Sequence, residues 1–121
     1  MATGPIKAGV TRTVLYVTNN KTTTDFDLAD DYTKYDYLMF EVQSNYEFWD
    51  HLVDVDRFRT LTGNYAMSFE HSGTPTEGGF VYNANISVQP SSTTRIHVVS
   101  AGYNNVNWQV GIRRVLGIKL H

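Results

Sequence analysis

The side chains able to do more than pack are four histidines, His51, His71, His97 and His121, and the acidic residues strung between Glu47 and Glu70. The histidines show neither an H-x-H nor an H-E-x-x-H spacing, so they outline no metal cage, and no metal is expected. Set beside Asp50, Asp54 or Glu70, His51 or His71 would form an acid-base couple, although polar residues at strand ends are also ordinary solvated groups. Asp54 and Asp56 stand two apart, and a strand would project both carboxylates from one face, as an oxygen-rich cation site or a glycosidase pair requires; Glu47 with Asp50 is the other acidic pair. Neither pair has a third ligand or an EF-hand pattern around it. The serines offer no G-x-S-x-G elbow, and Gly78-Gly79 lacks the lysine of a phosphate loop. With no cysteine in the chain, thiolate metal sites, iron-sulfur clusters, disulfides and cysteine nucleophiles are excluded. The expectation is a protein with no catalytic residues and no cofactor.

Aromatic residues carry the stronger signal, because a ring face stacks on sugar C–H surfaces while neighbouring amides and carboxylates bind hydroxyls. Tyr46, Phe48 and Trp49 form the densest cluster, with Asn45, Glu47 and Asp50 as polar neighbours, and Tyr103 with Asn104, Asn105 and Trp108 forms a second. Ligand binding is therefore assigned to Tyr46, Phe48, Trp49 and Tyr103. The same rings would alternatively cap the core or bury themselves against a neighbouring subunit. Tyr37 and Met39, on the back of the clearest strand, form an apolar patch suited to an oligomer interface.

What must position these residues is a β framework. Residues suited to a pleated, half-buried surface (Val, Ile, Thr, Tyr, Phe, Trp) number 48, against 27 of Ala, Leu, Glu, Lys, Gln and Met. At 121 residues the chain is one domain's worth: an N-terminal arm over 1–10 and a single β-sandwich over 11–121. Alternation predicts a strand over Thr11–Thr18, with Thr13, Leu15 and Val17 on one face, and a turn at Asn19-Asn20-Lys21. A short strand follows over Thr22–Leu28, then a single helical turn over Ala29–Tyr35. Asp36–Ser44 is the clearest strand, with Leu38, Phe40 and Val42 facing the core. Leu52–Leu61 and Asn64–His71 read as a hairpin, and Ser72–Gly79 as a surface loop. Phe80–Val88 and Thr93–Ala101 follow, with turns at Gln89–Ser92 and Gly102–Asn105. The last segment, Asn107–Leu120, aligns Trp108, Val110 and Ile112, with a bulge expected near Gly111 or Gly117. Eight or nine strands with evenly spaced turns describe an antiparallel, jelly-roll-like sandwich, with Ile96 and Val98 completing its core.

A net charge of −2 and a pI near 6.0, with no basic run beyond Arg113-Arg114, argue against nucleic acid as a partner. No apolar run approaches a membrane span, and the polar start carries no secretion signal, so neither membrane insertion nor classical export is expected.

Two segments resemble a known group. Phe26-Asp27-Leu28-Ala29-Asp30-Asp31-Tyr32-Thr33-Lys34-Tyr35-Asp36-Tyr37-Leu38-Met39-Phe40-Glu41-Val42 and Ile112-Arg113-Arg114-Val115-Leu116-Gly117-Ile118-Lys119 are similar to strand and turn patterns in the small β-sandwich domains of tailed-bacteriophage virion proteins, especially distal tail-fibre and tail-tip domains. The resemblance implies a non-enzymatic structural or adhesive protein of the virion, assembled in the host cytoplasm. It also implies a homo-oligomer, a trimer first, whose loops meet a host-surface glycan or protein. Because this chain starts at Met1 and spans one domain, the expectation is a separately encoded subunit joined to other virion proteins through its arm. A purely structural tail-tip or capsid-decoration subunit and a carbohydrate-binding module are the alternatives.

Overall fold

Strict alternation in Leu38-Met39-Phe40-Glu41-Val42 sends every second side chain inward, and Leu38, Phe40 and Val42 are completely buried. The computed structural model describes residues 9–44, 47–72, 81–104 and 106–121. Its strands are β1 (Val10–Thr22), β2 (Phe26–Asp27), β3 (Tyr37–Ser44), β4 (Phe48–Asp54), β5 (Tyr65–Ser72), β6 (Val81–Ser92), β7 (Arg95–Tyr103) and β8 (Val110–Leu120). A 3-10 turn, Tyr32–Lys34, joins β2 to β3, and a short helix α1, Val55–Arg59, follows β4. The arm assigned to 1–10 has residues 1–8 outside the described part, as do most of the Ser72–Gly79 loop and Asn105.

The strands form two antiparallel sheets, β1-β8-β3-β4 and β2-β7-β6-β5, packed face to face as a sandwich. Within the described residues the chain leaves its sheet between β1 and β2, β2 and β3, β4 and β5, and β7 and β8; β3-β4 is a hairpin and β5-β6-β7 a meander. Between the sheets lie Leu38, Phe40, Val42, Ile96, Val98, Val110 and Ile112, all buried as the alternation predicts.

Several expectations are corrected. The Asn19–Lys21 turn is absent: β1 runs through it, and a bulge at Leu15 shifts the register between Val14 and Tyr16, so Leu15 points inward while Val17 lies exposed. Leu52–Leu61 is not one strand. At Asp54 the chain turns into α1, because the Asp54 carboxylate accepts from the backbone N–H groups of Asp56 (2.8 Å) and Arg57 (3.3 Å) and so caps the helix. Asp56 in the first turn and Arg57 and Arg59 in the last suit the helix dipole, and Val55 and Phe58, three apart, bury one face. The hairpin expected from Leu52 to His71 does not form, since β4 and β5 lie in different sheets. Gln89–Ser92 continues β6, with the turn at Thr93-Thr94, and β7 extends through Gly102 and Tyr103.

The β8 bulge sits at Arg113 rather than at a glycine. The two glycines meet close neighbours instead: a Cβ on Gly111 would lie 2.7 Å from the Lys21 carbonyl carbon, and one on Gly117 would lie 2.8 Å from the Tyr35 ring. Trp108 precedes β8 and packs on Tyr82 and Tyr103 rather than sharing a strand face with Val110 and Ile112.

Candidate functional site

β4 and β5 are edge strands of the two sheets, and rings close the side of the sandwich between them. Trp49, opposite buried Val42, points inward and stacks on Phe69 with centroids 4.8 Å apart and planes 16° from parallel. One step along β4, His51 meets Phe69 and Tyr65 edge-on, and its Nε2 lies 3.2 Å from the Tyr65 hydroxyl. Burial pushes the His51 imidazole below its ordinary value and so favours the neutral ring. Below this seam, Phe58 of α1 fills the end of the core against Tyr32, Phe40 and Tyr65.

Outside the seam, where β4 ends and α1 begins, the surface opens into a cleft of about 540 Å³. It is lined by Tyr37 of β3, Leu52 and Asp54 of β4, Arg57 of α1, and Leu61, Asn64 and Tyr65 at and before the start of β5. A hollow of about 160 Å³ adjoins it, sharing Tyr37 and Asp54. Volume in this range suits a small organic ligand, and the lining alternates apolar or aromatic surface with a carboxylate, a guanidinium and an amide. Asp54 supplies the cleft's carboxylate from a helix cap, and the Tyr65 hydroxyl is steadied by His51. The arrangement can stack a ring and hydrogen-bond its substituents.

Of the residues assigned to binding from sequence, the three described ones, Phe48, Trp49 and Tyr103, do not form one platform. Tyr46 lies outside the described residues. Phe48 and Trp49 take opposite faces of β4: Phe48 is exposed on the outer surface with the Arg113 guanidinium 5.7 Å from its ring centroid, while Trp49 packs against the core. Tyr103 sits on β7 of the other sheet, half-buried against Trp108. Tyr37 and Met39 do face outward together on β3, and Tyr37 also enters the cleft. Arg57, Leu61, Asn64 and Tyr65 were not legible as neighbours in the sequence. The signal was Asp54 preceding Val55-Asp56-Arg57-Phe58-Arg59, a helix cap ahead of a buried pair three residues apart.

The acid-base candidates are dispersed. Asp54 and Asp56 do not share a strand face, because Asp54 caps α1 and Asp56 pairs with Arg59 within it (3.2 Å). The Glu47 N–H donates to the Ser44 hydroxyl, and Asp50 is exposed on β4. His97 meets Asp25, a partner unforeseen from the sequence, with Nδ1 and Oδ1 2.6 Å apart; Asp25 also accepts from the Val98 N–H. The His97 hydrogen bond, foremost, holds the Asp25 carboxyl below the usual carboxylate range. His121 reaches Thr11, and the His71 side chain lies outside the described part. Among the described residues, no three His, Asp or Glu side chains gather as a metal would require.

Comparison with known proteins finds neither a protein-family model nor a curated protein that matches the chain.

Proposed function

We propose that this protein is a non-enzymatic adhesive subunit of a tailed-bacteriophage virion, associated with the tail fibre or tail tip, and that it binds a surface glycan in the cleft between β4, α1 and β5. The cleft carries the binding part of this reading: two tyrosines and two leucines offer apolar surface, and Asp54, Arg57 and Asn64 offer planar polar groups at its margin. Binding is favoured over hydrolysis because the cleft residues named include one carboxylate, already engaged as a cap, whereas glycoside cleavage uses two across the scissile bond. The virion part rests on the resemblance of the 26–42 and 112–119 segments, which build β2, the 3-10 turn, β3 and β8.

The test of binding is a glycan array probed with the wild type, Arg57→Ala and Asn64→Ala. Binding by the wild type that weakens in both variants supports the cleft; binding that both variants retain removes it. No binding by folded wild type favours the purely structural subunit. Neighbouring open reading frames test the virion part: tail genes support it, and a sugar-utilisation operon points to a carbohydrate-binding module.

A further inference from the structure

Large apolar side chains left exposed among the described residues are concentrated on one surface. Val10, Val14 and Val17 of β1, Phe48 and Leu52 of β4 and Leu120 of β8 all belong to the β1-β8-β3-β4 sheet, and Val99 alone belongs to the other. Residues directly opposite in an antiparallel ladder share a face, so the registers define rows across the outer surface. One row is Val14, Leu116, Met39, Leu52, apolar across all four strands and exposed at its two ends, Val14 and Leu52, while Leu116, like Ile118 in the next row, is buried within the single chain. The row on one side reads Arg12, Ile118, Tyr37, Asp54, and the row on the other reads Val17, Arg114, Glu41, Asp50. Arg12 and Asp54 therefore stand at opposite ends of one row, both exposed, and neither is in an ion pair among the described residues.

We infer that two copies of this chain pair through this face, about a two-fold axis lying in the interface and running along the strands between β8 and β3. That operation exchanges β1 with β4 and β8 with β3. It lays Arg12 of each copy against Asp54 of the other and exposed Val14 against exposed Leu52. Charge selects this axis, because a two-fold running across the strands along the apolar row would instead set Asp54 against Asp50. Four strands about 4.8 Å apart and about eight residues of 3.3 Å give a footprint of about 500 Å² per copy. The pair then buries about 1,000 Å², the threshold of a specific interface. The contact is isologous, closes on itself and stops at two copies. It covers Tyr37 and Met39, and it brings Arg12 of the second copy to the Asp54 rim of the cleft while the Asn64 and Tyr65 side stays outside the paired sheets.

The absence of cysteine makes the register directly testable. Within one chain, positions 14 and 52 lie three strand spacings apart, about 14 Å, beyond the roughly 7 Å limit for a disulfide. Across the proposed axis they face each other. Light scattering after size exclusion should give the wild type twice the 13.7 kDa chain mass. Val14→Lys, at a half-exposed position outside the cleft, should give the single-chain mass, with Arg12→Asp as a milder variant at an exposed position should Val14→Lys unfold. On oxidation the double variant Val14→Cys with Leu52→Cys should form a covalent dimer that neither single variant forms. A single-chain mass for wild type at all concentrations, a trimeric mass, an unchanged mass for folded Val14→Lys or Arg12→Asp, or failure of the double variant to cross-link would each overturn the proposal. These readouts are masses, so they stand or fall independently of glycan binding.

Discussion

Replacing Phe58 by alanine tests the element that the alternation pattern hid. Phe58 is completely buried, with its ring centroid 5.4 Å from Tyr32, 6.0 Å from Phe40 and 6.2 Å from Tyr65. Removing a buried phenylalanine costs about 3–5 kcal/mol once the cavity is included, and three ring neighbours from separate elements favour the upper half of that range. For a chain of this size about 4 °C of melting temperature accompanies each kcal/mol, so Phe58→Ala should lower Tm by roughly 16–20 °C. Phe48→Ala, at an exposed ring on the outer face, should move it by about 2 °C or less. Differential scanning calorimetry of both variants is the assay. If Phe58→Ala melts within about 4 °C of wild type, α1 does not plug the sandwich, and the cleft wall that includes Tyr65 loses its support.

Gly111→Ala should cost about 1–3 kcal/mol by overpacking, because its Cβ would meet the backbone of Lys21 and Thr22 at 2.7–2.8 Å, and chemical denaturation should show the loss. Asp54→Ala should cost about 1 kcal/mol through the lost cap, read as a drop in denaturation midpoint. Because the fold lowers the His51 pKa, the unfolded chain binds the proton more readily, so this contribution to stability falls as pH drops below about 6.5. Urea titrations at neutral and mildly acidic pH should show a smaller loss for His51→Gln than for wild type. Asp25 acts lower on the scale: its depressed carboxyl contributes stability above the usual carboxylate range that disappears as pH falls through the folded value, and Asp25→Asn should flatten the acid limb.

Core-facing strands were legible in the sequence because period-two alternation directly expresses burial on one face: β3 reads from Leu38, Phe40 and Val42, and β6 from Tyr82, Ala84, Ile86 and Val88. Where the backbone departs from that period, the pattern misleads. One extra residue at Leu15 reverses the faces of β1, and a cap at Asp54 converts a strand-like run into a helix. Gly111 and Gly117 read as bulge positions, whereas the bulge lies at Arg113 and each glycine meets a close neighbour instead; a bulge and a close approach call for the same residue, and sequence does not separate them. The cleft was illegible because its walls come from β3, β4, α1 and the approach to β5, segments brought together by packing between two sheets. Tyr65 reads as a core residue, and Arg57 as a strand charge, until Phe58 turns the chain.

The two sides of the β4 strand connect the cleft with the pairing face. Inward, Trp49 and His51 join β5 through ring contacts that close the side of the sandwich. Outward, Leu52 and Asp54 belong both to the cleft and to the rows that cross the sheet. A surface that pairs with its own copy through Leu52 and Asp54 must therefore alter one wall of the cleft, bringing the positive Arg12 of the second copy to a rim whose own carboxylate is Asp54. An acidic saccharide would then bind the paired protein more tightly than a single chain does, and Arg12→Asp would remove that preference while leaving Arg57 and Asn64 in place. Equal affinity of a confirmed two-copy assembly and of single-chain Arg12→Asp for an acidic saccharide would separate the cleft from the interface and leave them as neighbouring surfaces with unrelated roles.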